Sequence, residues 1–138
     1  MKGRARVTLM ASVVLAAGLV LPGTAAAQES TCGGKPVTIY AQPGITTYGT
    51  QGDDVIRGTD GPDRIHGRQG NDLICSAWGN DEVHAGQGVD SVWAGEGDDV
   101  VYVNDYGEVD HADGGKGTDK AFVNSVDTYE RMEEVVVS

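Results

Sequence analysis

GTQGDDVIR (49–57), GTDGPDRIH (58–66), GRQGNDLIC (67–75), SAWGNDEVH (76–84), AGQGVDSVW (85–93) and AGEGDDVVY (94–102) follow one another without a gap. After Val103 and Asn104 come a degraded copy, DYGEVDHAD (105–113), and a good one, GGKGTDKAF (114–122). Position six is aspartate in all eight copies: Asp54, Asp63, Asp72, Asp81, Asp90, Asp99, Asp110 and Asp119. Position four is glycine in seven, with Glu108 the exception, and position eight is always apolar, from Ile56 to Ala121. An apolar position eight between variable neighbours reads as a three-residue strand that sends one side chain inward. The glycine-rich half reads as a turn, because glycine tolerates positive φ. One strand and one turn bury little alone, so the copies are expected to stack into a solenoid with an Ile/Val ladder inside.

The pattern resembles the RTX, or haemolysin-type calcium-binding, nonapeptide G-G-x-G-x-D-x-U-x. The resemblance covers residues 49–122 and is best in Gly114-Gly115-Lys116-Gly117-Thr118-Asp119; Thr50, Thr59, Arg68 and Ala77 depart from it at position two. It implies an all-β parallel β-roll in which two copies make one coil, so that odd and even copies stack on opposite edges. Asp54, Asp72, Asp90 and Asp110 would then form one column, and Asp63, Asp81, Asp99 and Asp119 the other, with neighbours roughly 4.8 Å apart. It also implies Ca2+, up to about six ions, held by these aspartates together with main-chain carbonyls from the turns. The copy at 105–113 would make the Asp90–Asp110 site the weakest, and Pro62 removes one amide donor.

Electrostatics favours that implication over aspartates that merely suit turns. Two carboxylates about 5 Å apart repel by roughly 3 kcal/mol at an effective dielectric near 20. A domain has only about 5–15 kcal/mol of net stability, and a cation between coils reverses the sign of the repulsion. Folding is therefore expected to be coupled to calcium.

The flanks suit an exported domain. Lys2, Arg4 and Arg6 precede an apolar run, Val7 to Leu21, then Pro22-Gly23 and Ala25-Ala26-Ala27, which reads as a secretory signal over 1–27 with no membrane span left after its removal. That removal changes the net charge from −11 to −14, leaving seven basic against 21 acidic side chains, so nucleic acid is not an expected partner. Extracellular location puts Cys32 and Cys75 in an oxidising compartment. A disulfide between them would stabilise the fold by roughly 4 kcal/mol, the alternatives being free thiols or an intermolecular bond. Residues 28–48 and 123–138 are expected to cap the ends of the 49–122 roll.

Nothing in the chain asks for catalysis. G-x-S-x-G, H-E-x-x-H and a P-loop are missing. His66 and His84 both occupy position nine and should be neighbours on one outer face, where exposed surface histidines are the commoner outcome than a metal pair. Trp78, Trp93, Tyr102 and Tyr106 are outward or in turns, free for a carbohydrate or protein contact or for packing on the capping segments. The expected function is a non-catalytic extracellular calcium-binding protein. The alternative is a calcium-dependent adhesion or interaction scaffold at the cell envelope.

Overall fold

The computed structural model describes residues 31–103 and 108–138. The signal at 1–27 and Asn104, Asp105 and Tyr106 lie outside them. The odd copies and a strand from each flank form one six-stranded parallel sheet: β3 (Ile39–Tyr40) from the N-terminal flank, β5 (Val55–Arg57), β7 (Leu73–Trp78), β9 (Ser91–Glu96) and β11 (His111–Lys116) from the copies, and β13 (Thr128–Glu130) from the C-terminal flank. The even copies, likewise extended by the flanks, form a second: β4 (Thr47–Tyr48) before the copies, β6 (Arg64–Gln69), β8 (Glu82–Gln87), β10 (Val100–Tyr102) and β12 (Lys120–Val123) from them, and β14 (Glu134–Val137) after them. A hairpin of β1 (Thr31–Cys32) and β2 (Lys35–Pro36) lies outside both. The two sheets face each other as a parallel β-roll, and no helix occurs among the described residues.

The register follows from the repeat. Ile56 pairs with Ile74, and Ile65 with Val83, each one coil of two nonapeptides apart. Ile56, Ile65, Ile74, Val83, Val92, Val101, Ala112 and Ala121 are completely buried between the sheets. Position eight gives this apolar column only one large side chain per strand, so each coil protects the next and none has a core of its own.

β5 and β10 have the three residues that the repeat implies, but most strands of the copies are longer. β6, β7, β8, β9 and β11 each run six residues, because the chain stays in the ladder through the first three positions of the following copy. Position one then also points inward, as Ala85 and Ala94 do. Val103 belongs to this set. Counting by nines makes it the first of two extra residues, yet it is 1% exposed and its amide bonds to the Phe122 carbonyl at 2.9 Å.

Turn geometry at position two does not depend on glycine throughout. Arg68 and Ala77 take φ of 87° and 85°, beside Gly86, Gly95 and Gly115 in the same conformation. A side chain there costs roughly 1–2 kcal/mol. Ala77→Gly is therefore expected to stabilise the roll by about 1 kcal/mol once the greater freedom of glycine in the unfolded chain is subtracted, read as a higher denaturation midpoint. An unchanged or lower midpoint would remove the strain argument.

Candidate metal centre

Every position-six aspartate is buried, none more than 6% exposed. Each follows a turn and immediately precedes a strand, so the stacking that aligns the strands also aligns the carboxylates. The main-chain N–H of Asp54 donates to Asp72 Oδ1 at 2.9 Å, that of Asp72 to Asp90 at 2.7 Å, and that of Asp90 to Asp110 at 2.7 Å. The even column repeats this: Asp63 to Asp81 at 2.8 Å, Asp81 to Asp99 at 2.8 Å and Asp99 to Asp119 at 2.9 Å. The Asp90–Asp110 rung is as short as the others, so the lengthened connection before Asp110 leaves the hydrogen-bond ladder in register.

These ladders have one more member each than the repeat revealed. The Asp110 amide donates to Asp127 Oδ1 at 3.2 Å, and the Asp119 amide to Glu133 Oε2 at 2.7 Å. Both acids immediately precede a strand, β13 and β14, and so occupy position six of a last coil. Their sequence spacing, 17 and 14 residues from the preceding rung, conceals that role. The segment after 122 thus extends both sheets by a parallel strand.

The second carboxylate oxygen divides the columns. At the N-terminal end Thr50 donates to Asp54 Oδ2 through its amide at 2.6 Å and its hydroxyl at 2.9 Å. Thr59 does the same for Asp63, at 2.6 and 3.0 Å. The threonines that depart from the glycine pattern are therefore caps for the first two aspartates. Further along, Oδ2 of Asp72, Asp81, Asp99 and Asp119 is buried with no hydrogen-bond partner. The Ser76 hydroxyl donates to the Ala94 carbonyl at 2.8 Å and, lying beside Asp81, works against the upward shift of that carboxyl.

A buried carboxylate oxygen without a partner is costly while it is charged. Burial accordingly pushes Asp72 and Asp81 up to about 7 and Asp99 to about 6, against the opposing hydrogen bonds from the preceding amides and with help from the neighbouring acids. Asp119 moves in the same direction, again through burial first, with Glu133 adding to it. Such oxygens suit a hard cation. Among the described residues no three His, Cys, Asp or Glu side chains converge as a metal-holding group, so a cation here must take most of its oxygens from the main chain. The turns provide them: Gly97 and Gly117 stack at φ of 143° and 145°, so closely that a Cβ on Gly117 would lie 1.8 Å from the Gly97 carbonyl oxygen. Six to eight oxygens in a flexible arrangement, many of them carbonyls, are what calcium accepts.

The profile of the RTX calcium-binding nonapeptide repeat family matches residues 48–83 and 77–105. The chain is an RTX-type calcium-binding repeat protein. Neither the curated proteins nor the solved structures contain a significant match to it. The RTX match takes in six of the eight predicted aspartates, Asp54 to Asp99. Asp110, Asp119, Asp127 and Glu133 lie beyond it and join the columns through the ladder geometry.

Other candidates resolve differently. Cys32 and Cys75 form a disulfide that ties the β1–β2 hairpin to β7. His66 and His84 stack 4.4 Å apart at 5° between planes, within a continuous column Tyr48, His66, His84, Tyr102, Phe122 on the even sheet. Parallel stacked rings aim their nitrogens side by side and not at a common point, and His84 Nε2 meets Glu82 Oε1 at 3.1 Å. His111 Nδ1 contacts Thr128 Oγ1 at 3.0 Å. Tyr102 is thus committed to the ring column. Trp93 packs under the hairpin, where a Cβ on Gly33 would lie 2.3 Å from its ring, while Trp78 is exposed.

Proposed function

We propose that this chain is an extracellular, non-catalytic calcium-binding protein whose roll folds on binding, with ions held between successive turns of each edge. The observation that carries this reading is the set of buried Oδ2 atoms of Asp72, Asp81, Asp99 and Asp119 that have no protein donor. The ligand set is drawn from the position-six aspartates, Asp54, Asp63, Asp72, Asp81, Asp90, Asp99, Asp110 and Asp119, to which the ladder adds Asp127 and Glu133. Asp54 and Asp63, capped by threonine, bind least. Bound calcium would supply positive charge that the columns otherwise lack. The aspartates orient through their Oδ1 rungs, and the glycine turns present carbonyls. Export rests on the signal-like 1–27 segment.

The test is a circular-dichroism titration of residues 28–138 with calcium and with magnesium, beside the Asp72→Ala/Asp81→Ala variant. Parallel-β signal is expected to appear with calcium and not with equal magnesium, which prefers a rigid, largely hydrated octahedron. The variant is expected to need about tenfold more calcium or more. β structure that forms without calcium and is unchanged in the variant overturns the reading.

A further inference from the structure

The outer face of the odd sheet carries a shallow cavity of about 420 Å³ that none of the position-six aspartates lines. Its floor is Ala77, Gly95 and Gly115, paired neighbours on three successive strands. With no side chain beyond Cβ, these residues leave a strip of bare main chain. Both tryptophans of the chain stand at this strip, Trp93 anchored under the hairpin and Trp78 56% exposed. Three of the seven Lys and Arg side chains outside 1–27 also line it, Arg57, Lys116 and Arg131.

Glu96 also lines the trough and Asp113 pairs with Arg131, so three cations against two carboxylates leave a local charge of +1, opposite in sign to the chain's −11. Two of the cations are fixed in place. Lys116 Nζ meets Glu96 Oε1 at 2.6 Å, and Arg131 grips Asp113 with both arms, Nε to Oδ1 at 2.7 Å and Nη2 to Oδ2. Lys116 remains largely open to solvent, with 78% of its side chain exposed. An indole beside a flat, side-chain-free floor accepts a flat, amphipathic ring, and pre-positioned guanidinium and ammonium groups accept a carboxylate.

We propose that this trough binds an acidic saccharide, with a pyranose ring against Trp78 and its carboxylate among Lys116, Arg131 and Arg57. A sugar acid suits the trough better than an acidic peptide, because a flat floor beside an indole matches the apolar face of a pyranose ring. Densely charged polyphosphates are disfavoured by the net negative charge of the roll.

Because both tryptophans flank the trough, indole fluorescence reports occupancy directly. The calcium-saturated protein, its β structure verified by circular dichroism, is titrated with tetragalacturonate, with the neutral tetrasaccharide of galactose and with tetraglutamate. Saturable quenching by tetragalacturonate is expected, with the neutral sugar and the peptide each binding about tenfold more weakly or worse. Trp78→Ala and Lys116→Glu replace exposed side chains, and each is expected to weaken uronate binding by about tenfold, Trp78→Ala being followed through the remaining Trp93. No saturable change overturns the proposal. So does tetraglutamate binding as tightly as the sugar acid. Binding that persists undiminished in Lys116→Glu would be calcium bridging to the acidic surface, and overturns it equally.

Discussion

Stripped of divalent cations by chelation, the chain is expected to be more stable at pH 5 than at pH 8, and saturating calcium is expected to invert that order. The sign follows from the direction of the carboxyl shifts. Asp72, Asp81 and Asp99 have folded values raised from 3.8 to about 7, 7 and 6. A group raised on folding contributes its stability in full below its unfolded value and loses it as the pH climbs through the folded value. The loss therefore falls between about pH 4 and pH 7. His66, lowered from 6.5 by burial and by His84, acts with the opposite sign and only as the pH drops below its ordinary value. It is a single group set against a column of acids. Calcium binds the ionised carboxylates, competes with protons, and adds most stability above pH 7. After chelation, β structure is expected by circular dichroism to be greater at pH 5 than at pH 8, and with saturating calcium the thermal midpoint is expected to be more than about 5 °C higher at pH 8 than at pH 5. Equal β content at the two pH values after chelation, or a calcium-loaded midpoint higher at pH 5 than at pH 8, would sink the argument.

The repeat is legible in the sequence because burial enforces it. Position eight has to be apolar wherever two sheets close over it, and position six has to be acidic wherever a turn must be reached by a carboxylate from the next coil. Ile56 and Ile74, or Asp54 and Asp72, are one coil apart by counting alone. What cannot be counted is less legible. Asp127 and Glu133 do the work of position six, yet their connections are shorter than a nonapeptide pair, and only the parallel pairing of β13 and β14 reveals them. Thr50 and Thr59 look like defects in a glycine column until their hydroxyls are placed on Asp54 and Asp63. Val103 looks like an insertion until its side chain is found in the core. The trough is invisible for a different reason: Arg57, Trp78, Trp93 and Lys116 are at variable positions, and the repeat constrains where they point without constraining what they are.

Loss of the Cys32–Cys75 disulfide is expected to cost about 4 kcal/mol and, through it, calcium affinity. The bond closes a loop across 43 positions of sequence, long enough that the unbridged chain gains substantial freedom when unfolded. It also holds a satellite core: Cys32, Leu73 and Cys75 are buried together with Val37, Val55 and Trp93 against them. This cluster lies on the outer face of the odd sheet and shares no side chain with the Ile/Val column, so the coils themselves remain buildable without it. The Cys32→Ser/Cys75→Ser variant should therefore still form the roll, at higher calcium. If three ions bind together, 4 kcal/mol spread over them raises the calcium midpoint by roughly tenfold. Trp93, losing the hairpin that covers it, should shift its emission to the red even in the calcium-saturated variant. A red shift without a change in the calcium midpoint would mean that the hairpin is stabilised by the roll and gives nothing back. An unchanged spectrum with a raised midpoint would place the coupling elsewhere than in this cluster.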